Sequence, residues 1–204
     1  MSQENWDKIF SEGTDFSPLN LILLGKILER VSRIGKTSIK NVVDLGVGTG
    51  DSAIKFAEAG FFVQGLDWSK VALEKAEDVA NREGVREKVI FTEMDLNNID
   101  TGKIVYNPAD VVFTKLVFAF IDDKDKFLDT VKSFMSEDSV LVIMTPVIYK
   151  EISYDKEDKP GIAVEWKNVT ELLKKKFDYV EEFNHDYFGD KGDLVTFLIK
   201  KNQP

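Results

Sequence analysis

Three alternating glycines follow an aspartate at the end of an apolar run, and this spacing can form a ligand site. The run reads Val42-Val43-Asp44-Leu45-Gly46-Val47-Gly48-Thr49-Gly50. Glycine allows a tight backbone turn and lets a ligand approach closely, because it has no Cβ. We therefore expect Asp44, Gly46, Gly48 and Gly50 to take part in binding.

Two more aspartates stand just after apolar segments. Asp67 precedes Trp68, and Asp95 lies between Met94 and Leu96. Ligands of open parallel sheets bind beyond the carboxyl ends of the strands. The sequence therefore predicts that these acids share one rim with the glycine turn and with the segment 114–118.

The acidic rim disfavours a dinucleotide. The G-x-G-x-x-G pattern places a pyrophosphate at a helix N-terminus, but Asp51 occupies the third glycine position here. Carboxylates attract a cation and repel a diphosphate. A positively charged sulfonium ligand fits this rim better.

Alternating strands and helices position these residues. The patterns predict strands at 41–45, 61–66, 88–92, 109–115, 139–145, 179–187 and 193–200. They predict helices at 17–34, 51–59, 69–81, 123–135 and 168–176, and a mobile polar loop at 148–160. Nearly all-apolar strands favour a parallel sheet covered on both faces, whereas the short final connection requires an antiparallel pair. The fold class is therefore α/β: a doubly wound, mostly parallel seven-stranded sheet with an antiparallel last strand.

Composition excludes several chemistries. The 204 residues contain no cysteine and one histidine, and the net charge is -9. Thiolate nucleophiles, disulfides and cysteine-ligated metals are thereby excluded, and we expect no metal site. The negative charge argues against an extended nucleic-acid partner. Without a secretory or membrane-spanning pattern, we expect a cytoplasmic protein with no membrane partner.

The motifs resemble those of the class I S-adenosylmethionine-dependent methyltransferases. The first family motif, D-x-G-x-G-x-G, matches Asp44, Gly46, Gly48 and Gly50 without a gap. The resemblance covers residues 37–200 and implies a Rossmann-like methyltransferase fold. It also implies one domain over 1–204, with an N-terminal cap and helix at 1–36 and a core at 37–204.

The resemblance implies S-adenosylmethionine as the cofactor and gives the rim residues roles. Asp67 would accept both ribose hydroxyls, Asp95 would recognise the adenine amino group, and Trp68 and Met94 would flank the purine. The complete cofactor-binding set so implied is Asp44, Gly46, Gly48, Gly50, Asp67, Trp68, Met94, Asp95, Leu96 and Thr114. Segment 5–10 resembles the leading segment that covers the cofactor in many small-molecule members.

Methyl transfer from a sulfonium is an in-line displacement, in which positioning of the acceptor supplies much of the acceleration. The sequence assigns no catalytic residue. If the acceptor needs a base, Lys115, Asp122, Asp123 and His185 are candidates by position alone.

A small-molecule acceptor is the leading prediction. The fourth motif reads Phe113-Thr114-Lys115-Leu116, unlike the Asn/Asp-Pro-Pro-Tyr of nucleic-acid enzymes that methylate amino groups. We also expect no added target-recognition domain. The alternatives are a non-catalytic S-adenosylmethionine-binding regulator, a methyltransferase acting on a protein or RNA, and a nicotinamide dehydrogenase.

Overall fold

The computed structural model describes residues 2–13, 16, 18–35, 37–149, 163–187 and 193–203, with side chains described as far as 183 in the fifth range. Six α-helices lie within these ranges: α1 Gln3–Ser11, α2 Leu21–Ile34, α3 Asp51–Glu58, α4 Lys70–Arg82, α5 Lys124–Ser133 and α6 Trp166–Lys176. Eight strands also lie there: β1 Asn41–Leu45, β2 Phe62–Asp67, β3 Val89–Glu93, β4 Ala109–Lys115, β5 Met135–Ile148, β6 Val164–Glu165, β7 Tyr179–Tyr187 and β8 Asp193–Lys200.

The strands form one sheet in the order β3-β2-β1-β4-β5-β8-β7, and the two-residue strand β6 pairs with β5. Strands β1 to β5 pair in parallel, whereas β8 runs antiparallel to both β5 and β7. The predicted doubly wound sheet with an antiparallel last strand is confirmed. The sequence missed only β6, which is too short to carry a strand pattern.

Hydrophobic layers cover both faces of the sheet. On β1, Val42 faces a core built with α2 and α3, whereas Val43 faces a core built with α5 and α6. Alternate residues of a strand point to opposite faces. Each strand therefore needs apolar residues throughout, which is why the central strands read as continuous apolar runs.

Side-chain caps set the starts of the helices that border the rim. Ser69 Oγ accepts a hydrogen bond from Ala72 N at α4, as the sequence predicts, and Asp123 accepts one from Lys126 N at α5. Such caps satisfy backbone N–H groups that have no partner inside the helix. These caps therefore determine where the rim loops before α4 and α5 end and where the helices begin.

Strand β5 begins at Met135, four residues before the predicted start. Met135 pairs with Ala109 and Val140 pairs with Val111, so β5 carries extra residues between these pairs. Ser139 Oγ donates to Ala109 O at 2.5 Å, and this hydrogen bond holds the irregular part of β5 against the start of β4. The polar residues at 136–138 hide the early start of the strand from a pattern of apolar residues.

Helix α1 was not predicted as a helix, because its nine residues carry few apolar positions. Of the predicted loop at 148–160, residues 150–160 lie outside the described part of the chain. None of the helices that the structure describes has the length and apolar character needed to cross a membrane.

Candidate active site

The glycine turn between β1 and α3 rests on the end of β2. Gly46 N and Val47 N both donate to Leu66 O, at 2.7 and 3.0 Å. Gly46 has φ 77°, and a Cβ at this position would lie 2.2 Å from Val117 Cγ2. Glycine is required here, because the backbone is left-handed and another chain segment passes directly above it.

Asp67 joins the glycine turn to the start of α4. Its Oδ2 accepts a hydrogen bond from Gly48 N at 2.8 Å, and its Oδ1 accepts one from Ser69 N at 2.9 Å. Burial raises the pKa of Asp67, although these backbone donors oppose the shift. A carboxylate has about four lone-pair sites, so both oxygens can still accept a hydrogen bond from a ligand.

Asp95 organises the loop after β3. Its Oδ1 accepts from Asn97 N at 2.9 Å, and its Oδ2 accepts from Asn98 Nδ2 at 2.8 Å. Asn97 Oδ1 in turn accepts from Asp122 N at 2.9 Å. The loop that holds Asp95 is therefore tied to the segment that follows β4, across the mouth of the site.

Asp44 is buried at the end of β1, with 1% of its surface exposed. Ser52 Oγ donates to Asp44 Oδ2 at 2.5 Å, whereas Oδ1 is buried and has no hydrogen-bond partner among the described residues. Burial raises the pKa of Asp44 to about 7, and the Ser52 hydrogen bond and the charge of Lys115 counteract part of this shift. Asp44 is thus a buried acid that can change charge near neutral pH.

The segment after β4 is strained where it meets the glycine turn. Leu116 has φ 63°, and its N–H donates to Met144 O at 2.8 Å. A left-handed conformation of a residue other than glycine persists only where the surroundings enforce it, and it is frequent at functional sites. This conformation holds Val117 above Gly46.

Helix α1 lies across the rim. Asp7 Oδ1 accepts from Ser69 Oγ at 2.5 Å, and Gln3 Nε2 donates to Trp68 O at 2.9 Å. Its Trp6 ring stacks on Phe10 at 6.0 Å and meets Phe120 edge-on at 5.1 Å. These rings cover a cavity above the glycine turn.

Nineteen of the residues that the structure describes line this cavity: Trp6, Phe10, Phe16, Gly46, Val47, Gly48, Thr49, Asp51, Ser52, Asp67, Trp68, Asp95, Leu96, Asn97, Lys115, Leu116, Val117, Phe120 and Ile121. Six of the ten residues predicted to bind the cofactor are among them: Gly46, Gly48, Asp67, Trp68, Asp95 and Leu96. The other four, Asp44, Gly50, Met94 and Thr114, do not line it.

Those four residues pack beside the site. Met94 belongs to the core on the α5 side, and its Sδ accepts from Asp100 N at 3.3 Å. Thr114 Oγ1 is buried without a hydrogen-bond partner among the described residues. Gly50 caps α3, and a Cβ there would lie 3.0 Å from Ala76 Cβ.

Of the three candidate bases whose side chains the structure describes, Lys115 alone lines the cavity. Asp122 and Asp123 are exposed, and Asp123 caps α5. His185 lies on β7, and its side chain is outside the described part of the chain. Within that part, no group of three or more His, Asp or Glu residues could hold a metal ion.

Trp6 and Phe10, from the segment 5–10 that we expect to cover the cofactor, line the cavity. Sequence reasoning missed Phe16 and Phe120, which also line it, and Asn97, which links two of its loops. The N-cap at Ser2 and the helical spacing of Trp6 and Phe10 are the signals that could have revealed α1. The meeting of α1 with Phe120 depends on tertiary packing, which no local pattern encodes.

Residues 36–185 match the sequence profile of a methyltransferase domain, which is well over half of the chain. The chain belongs to this methyltransferase family. The glycine turn and the acids at Asp67 and Asp95 lie inside the matched region, as the resemblance to the class I S-adenosylmethionine-dependent methyltransferases implies. Membership of this family decides against the nicotinamide dehydrogenase.

Known proteins similar to this methyltransferase agree with the fold. The tRNA 5-carboxymethoxyuridine methyltransferase of Escherichia coli K12 is 29% identical over 151 residues, which are 71% of this chain and 57% of that protein. An S-adenosylmethionine-dependent methyltransferase from Aquifex aeolicus superposes with a TM-score of 0.66 at 19% identity, covering 98% and 99% of the two chains. Phosphoethanolamine N-methyltransferase 2 of Haemonchus contortus, solved with S-adenosylhomocysteine, gives 0.71 at 17% identity, covering 99% of this chain and 58% of its own.

Proposed function

We propose that the enzyme transfers the methyl group of S-adenosylmethionine to a small acceptor by in-line displacement. One observation carries this proposal: a single cavity joins the glycine turn and the rim acids to the segment after β4, under the cover of α1. The cofactor-binding motifs and the space proposed for the acceptor therefore border the same cavity.

The residues present fit S-adenosylmethionine. Three carboxylates line the cavity: Asp51, whose oxygens are bound by Leu19 N and Lys55, and Asp67 and Asp95, which can receive the polar groups of an adenosyl moiety. A Cβ at Gly48 would lie 3.5 Å from Phe10, so glycine keeps open the space between the turn and α1. We propose that Asp67 accepts the ribose hydroxyls and that Asp95 accepts from the adenine amino group.

Two apolar residues border the same region. Trp68 and Leu96 line the cavity, whereas Met94 packs into the core. We propose that Trp68 and Leu96 contact the two faces of the adenine ring. Asp44 and Thr114 would then not contact the cofactor directly. They would act from beside the cavity, by holding the ends of β1 and β4 in position and, for Asp44, through its charge.

When it is bound, S-adenosylmethionine supplies a methyl group on a cationic sulfur that leaves as a neutral thioether. The protein's part is to align the acceptor with the bond that breaks and to exclude water. The strained segment at Leu116 and the rings of Trp6 and Phe120 are placed to do both, because they line the same cavity as the rim acids.

A modified nucleoside in RNA is the second candidate acceptor. The Escherichia coli relative acts on 5-carboxymethoxyuridine of tRNA, and it shares 29% identity with this chain. The net charge of -9 favours the small acceptor, because RNA binding relies on Lys and Arg contacts to phosphates. The cover formed by α1 also favours an acceptor that the cavity can enclose.

Fractionated extracts separate the two candidates. The enzyme and S-adenosylmethionine are incubated with a small-metabolite filtrate, with total RNA, or with protein, and S-adenosylhomocysteine is measured by mass spectrometry. The proposal expects turnover with the filtrate. Turnover with RNA alone would reject the small acceptor. Asp67→Ala should strongly reduce turnover at a low S-adenosylmethionine concentration in whichever fraction is active.

A further inference from the structure

Asn97 connects two loops that line the cavity. It lies in the loop after β3, and its side chain is partly buried at the cavity wall. Its backbone N–H donates to Asp95 Oδ1 at 2.9 Å, and its side-chain Oδ1 accepts from Asp122 N at 2.9 Å. The main chain of Asn97 is therefore bound to the carboxylate to which we assign the adenine, whereas its side chain is bound to the segment after β4.

The segment after β4 supplies another part of the cavity wall. Phe120 and Ile121 line the cavity, and Phe120 meets Trp6 of α1 edge-on at 5.1 Å. Asp122 directly follows these two residues in the chain. A hydrogen bond to its N–H therefore restrains both lining side chains and, through Trp6, the cover above them.

The two ends of this segment are anchored without Asn97. Phe118 is buried in the core on the α5 side, and Asp123 caps α5. Between them, the hydrogen bond from Ile121 N to Phe118 O is 3.4 Å long, which is beyond the usual range for an N–H···O bond. Lys124 Nζ donates to Ile121 O at 2.7 Å, but Lys124 belongs to the same stretch of chain. The contact from Asn97 joins the middle of this stretch to a different strand end.

A ligand held by Asp95 would stiffen this connection. The two oxygens of Asp95 accept from Asn97 N and Asn98 Nδ2, so the carboxylate and the loop around it move together. An adenine amino group bound to Asp95 would hold the loop still, and Asn97 Oδ1 would then present a fixed acceptor to Asp122 N. Less conformational entropy remains to be lost when the neighbouring wall becomes ordered.

We infer that Asn97 is a positioning residue that transmits the occupancy of the adenosyl site to the acceptor wall at Phe120 and Ile121. This inference rests on the proposed function, because it takes Asp95 to recognise the adenine and the cavity to receive the acceptor. Binding of the cofactor thereby prepares the wall for the acceptor, and an ordered wall strengthens cofactor binding to the same extent.

Hydrogen exchange of the full chain tests this link with two probes. Adenosine has the ring and the ribose of the cofactor without its amino-acid part, whereas S-adenosylhomocysteine has both. Each probe is added at saturating concentration, and exchange is compared with that of the free enzyme. We expect both probes to slow exchange at 95–98 and, by about three- to tenfold, at 118–121, which is the factor that one hydrogen bond supplies. Asp122 is left out because its own N–H makes the bond.

Variants assign the effect to one side chain. In Asn97→Ala, adenosine should still slow exchange at 95–98, because the backbone N–H that binds Asp95 remains, but it should no longer do so at 118–121. Asn97→Asp keeps an oxygen acceptor for Asp122 N and should restore the effect. Asn98→Ala removes only the side-chain donor to Asp95 and, as the matched control, should keep it. Equal slowing at 118–121 in Asn97→Ala and in the unchanged enzyme, or no slowing there by adenosine in the unchanged enzyme, overturns the inference.

Steady-state kinetics separates positioning from cofactor binding. With the extract fraction that supports turnover as the acceptor source, Asn97→Ala should lower the apparent kcat at saturating S-adenosylmethionine by about three- to tenfold. The KM for S-adenosylmethionine should change by no more than this factor, and Asn97→Asp should recover the rate. A loss confined to this KM, or S-adenosylhomocysteine affinity lowered by more than about thirtyfold, would make Asn97 a cofactor-binding residue and contradict the inference.

The two proposals fail differently. An unchanged enzyme that does not bind S-adenosylhomocysteine would contradict the proposed function itself. An enzyme that binds it, but whose exchange at 118–121 responds in the same way in Asn97→Ala, would contradict only the role of Asn97.

Discussion

Asp67 combines two tasks in one carboxylate. It fastens the glycine turn through Gly48 N and the start of α4 through Ser69 N, and we propose that it also accepts the ribose hydroxyls. An alanine at this position removes both tasks at once. Its effect on binding therefore needs a comparison that isolates the ribose contact.

A deoxyribose analogue provides this comparison. Asp67→Ala should weaken S-adenosylhomocysteine binding by about 1.5–3 kcal/mol, the size expected for charge-assisted hydrogen bonds. The 2′-deoxy analogue should lose affinity in the unchanged enzyme but no further affinity in the variant. Calorimetry measures the affinity of each of the two proteins for each of the two ligands. If the loss from the variant and the loss from the missing hydroxyl are strictly additive, the ribose does not contact Asp67.

Asp44 makes stability depend on pH. Burial raises its pKa from 3.8 to about 7, so the folded protein holds a proton that the unfolded chain releases. The corresponding stability is complete below about pH 4 and is lost as pH rises through 7, to a total of roughly 4 kcal/mol. The loss falls between about pH 4 and pH 7 as pH rises, because the acid's folded-state pKa is raised and not lowered.

Asp44→Asn tests this assignment. The amide cannot ionise, so the variant should show a smaller decline in the free energy of unfolding between pH 5 and pH 8 than the unchanged protein. Urea unfolding at several pH values measures it, and Asp138→Asn, at an exposed position near the start of β5, is the matched control. The same decline in Asp44→Asn and in the unchanged protein would move the titration to another group.

The sequence predicted which residues lie near the site, but it predicted only in part which of their side chains point into the cavity. Alternating glycines and acids at strand ends identified Gly46, Gly48, Asp67 and Asp95, because a parallel sheet brings strand ends to one rim. The inward packing of Met94 depends on the core beneath it. No spacing along the chain encodes such a contact.

Helix α1 is the element that closes the rim, and its polar contacts are local enough to remove. Asp7→Ala deletes the acceptor of the Ser69 Oγ hydrogen bond while leaving Trp6 and Phe10 in place. Hydrogen exchange should become faster in residues 3–11 and stay unchanged in α5, since local opening depends on local contacts. Glu4→Ala, at an exposed position of the same helix, is the control. Unchanged exchange in Asp7→Ala would show that the aromatic contacts alone hold the helix.

Among the secondary-structure elements, strands with long apolar runs could be predicted from the sequence, whereas short elements could not. All seven predicted strands are present, because buried parallel strands are continuous apolar runs. The early start of β5, the two residues of β6 and the short α1 lack such runs. Each is determined by its partner in space and not by its own pattern.

A ligand bound in the cavity should stabilise the whole fold, because many separate elements line this cavity. They are the ends of β1, β2 and β4, the loop after β3, and α1. A ligand that binds only the folded protein stabilises it by about 2.7 kcal/mol at a hundredfold excess over its dissociation constant. For a chain of this length, that should raise the melting temperature by roughly 5–10 °C. S-adenosylhomocysteine should give this shift in thermal unfolding, whereas NAD should not, because its diphosphate meets the carboxylates of the rim. A larger shift with NAD than with S-adenosylhomocysteine would contradict the assignment of the rim acids to an adenosyl sulfonium.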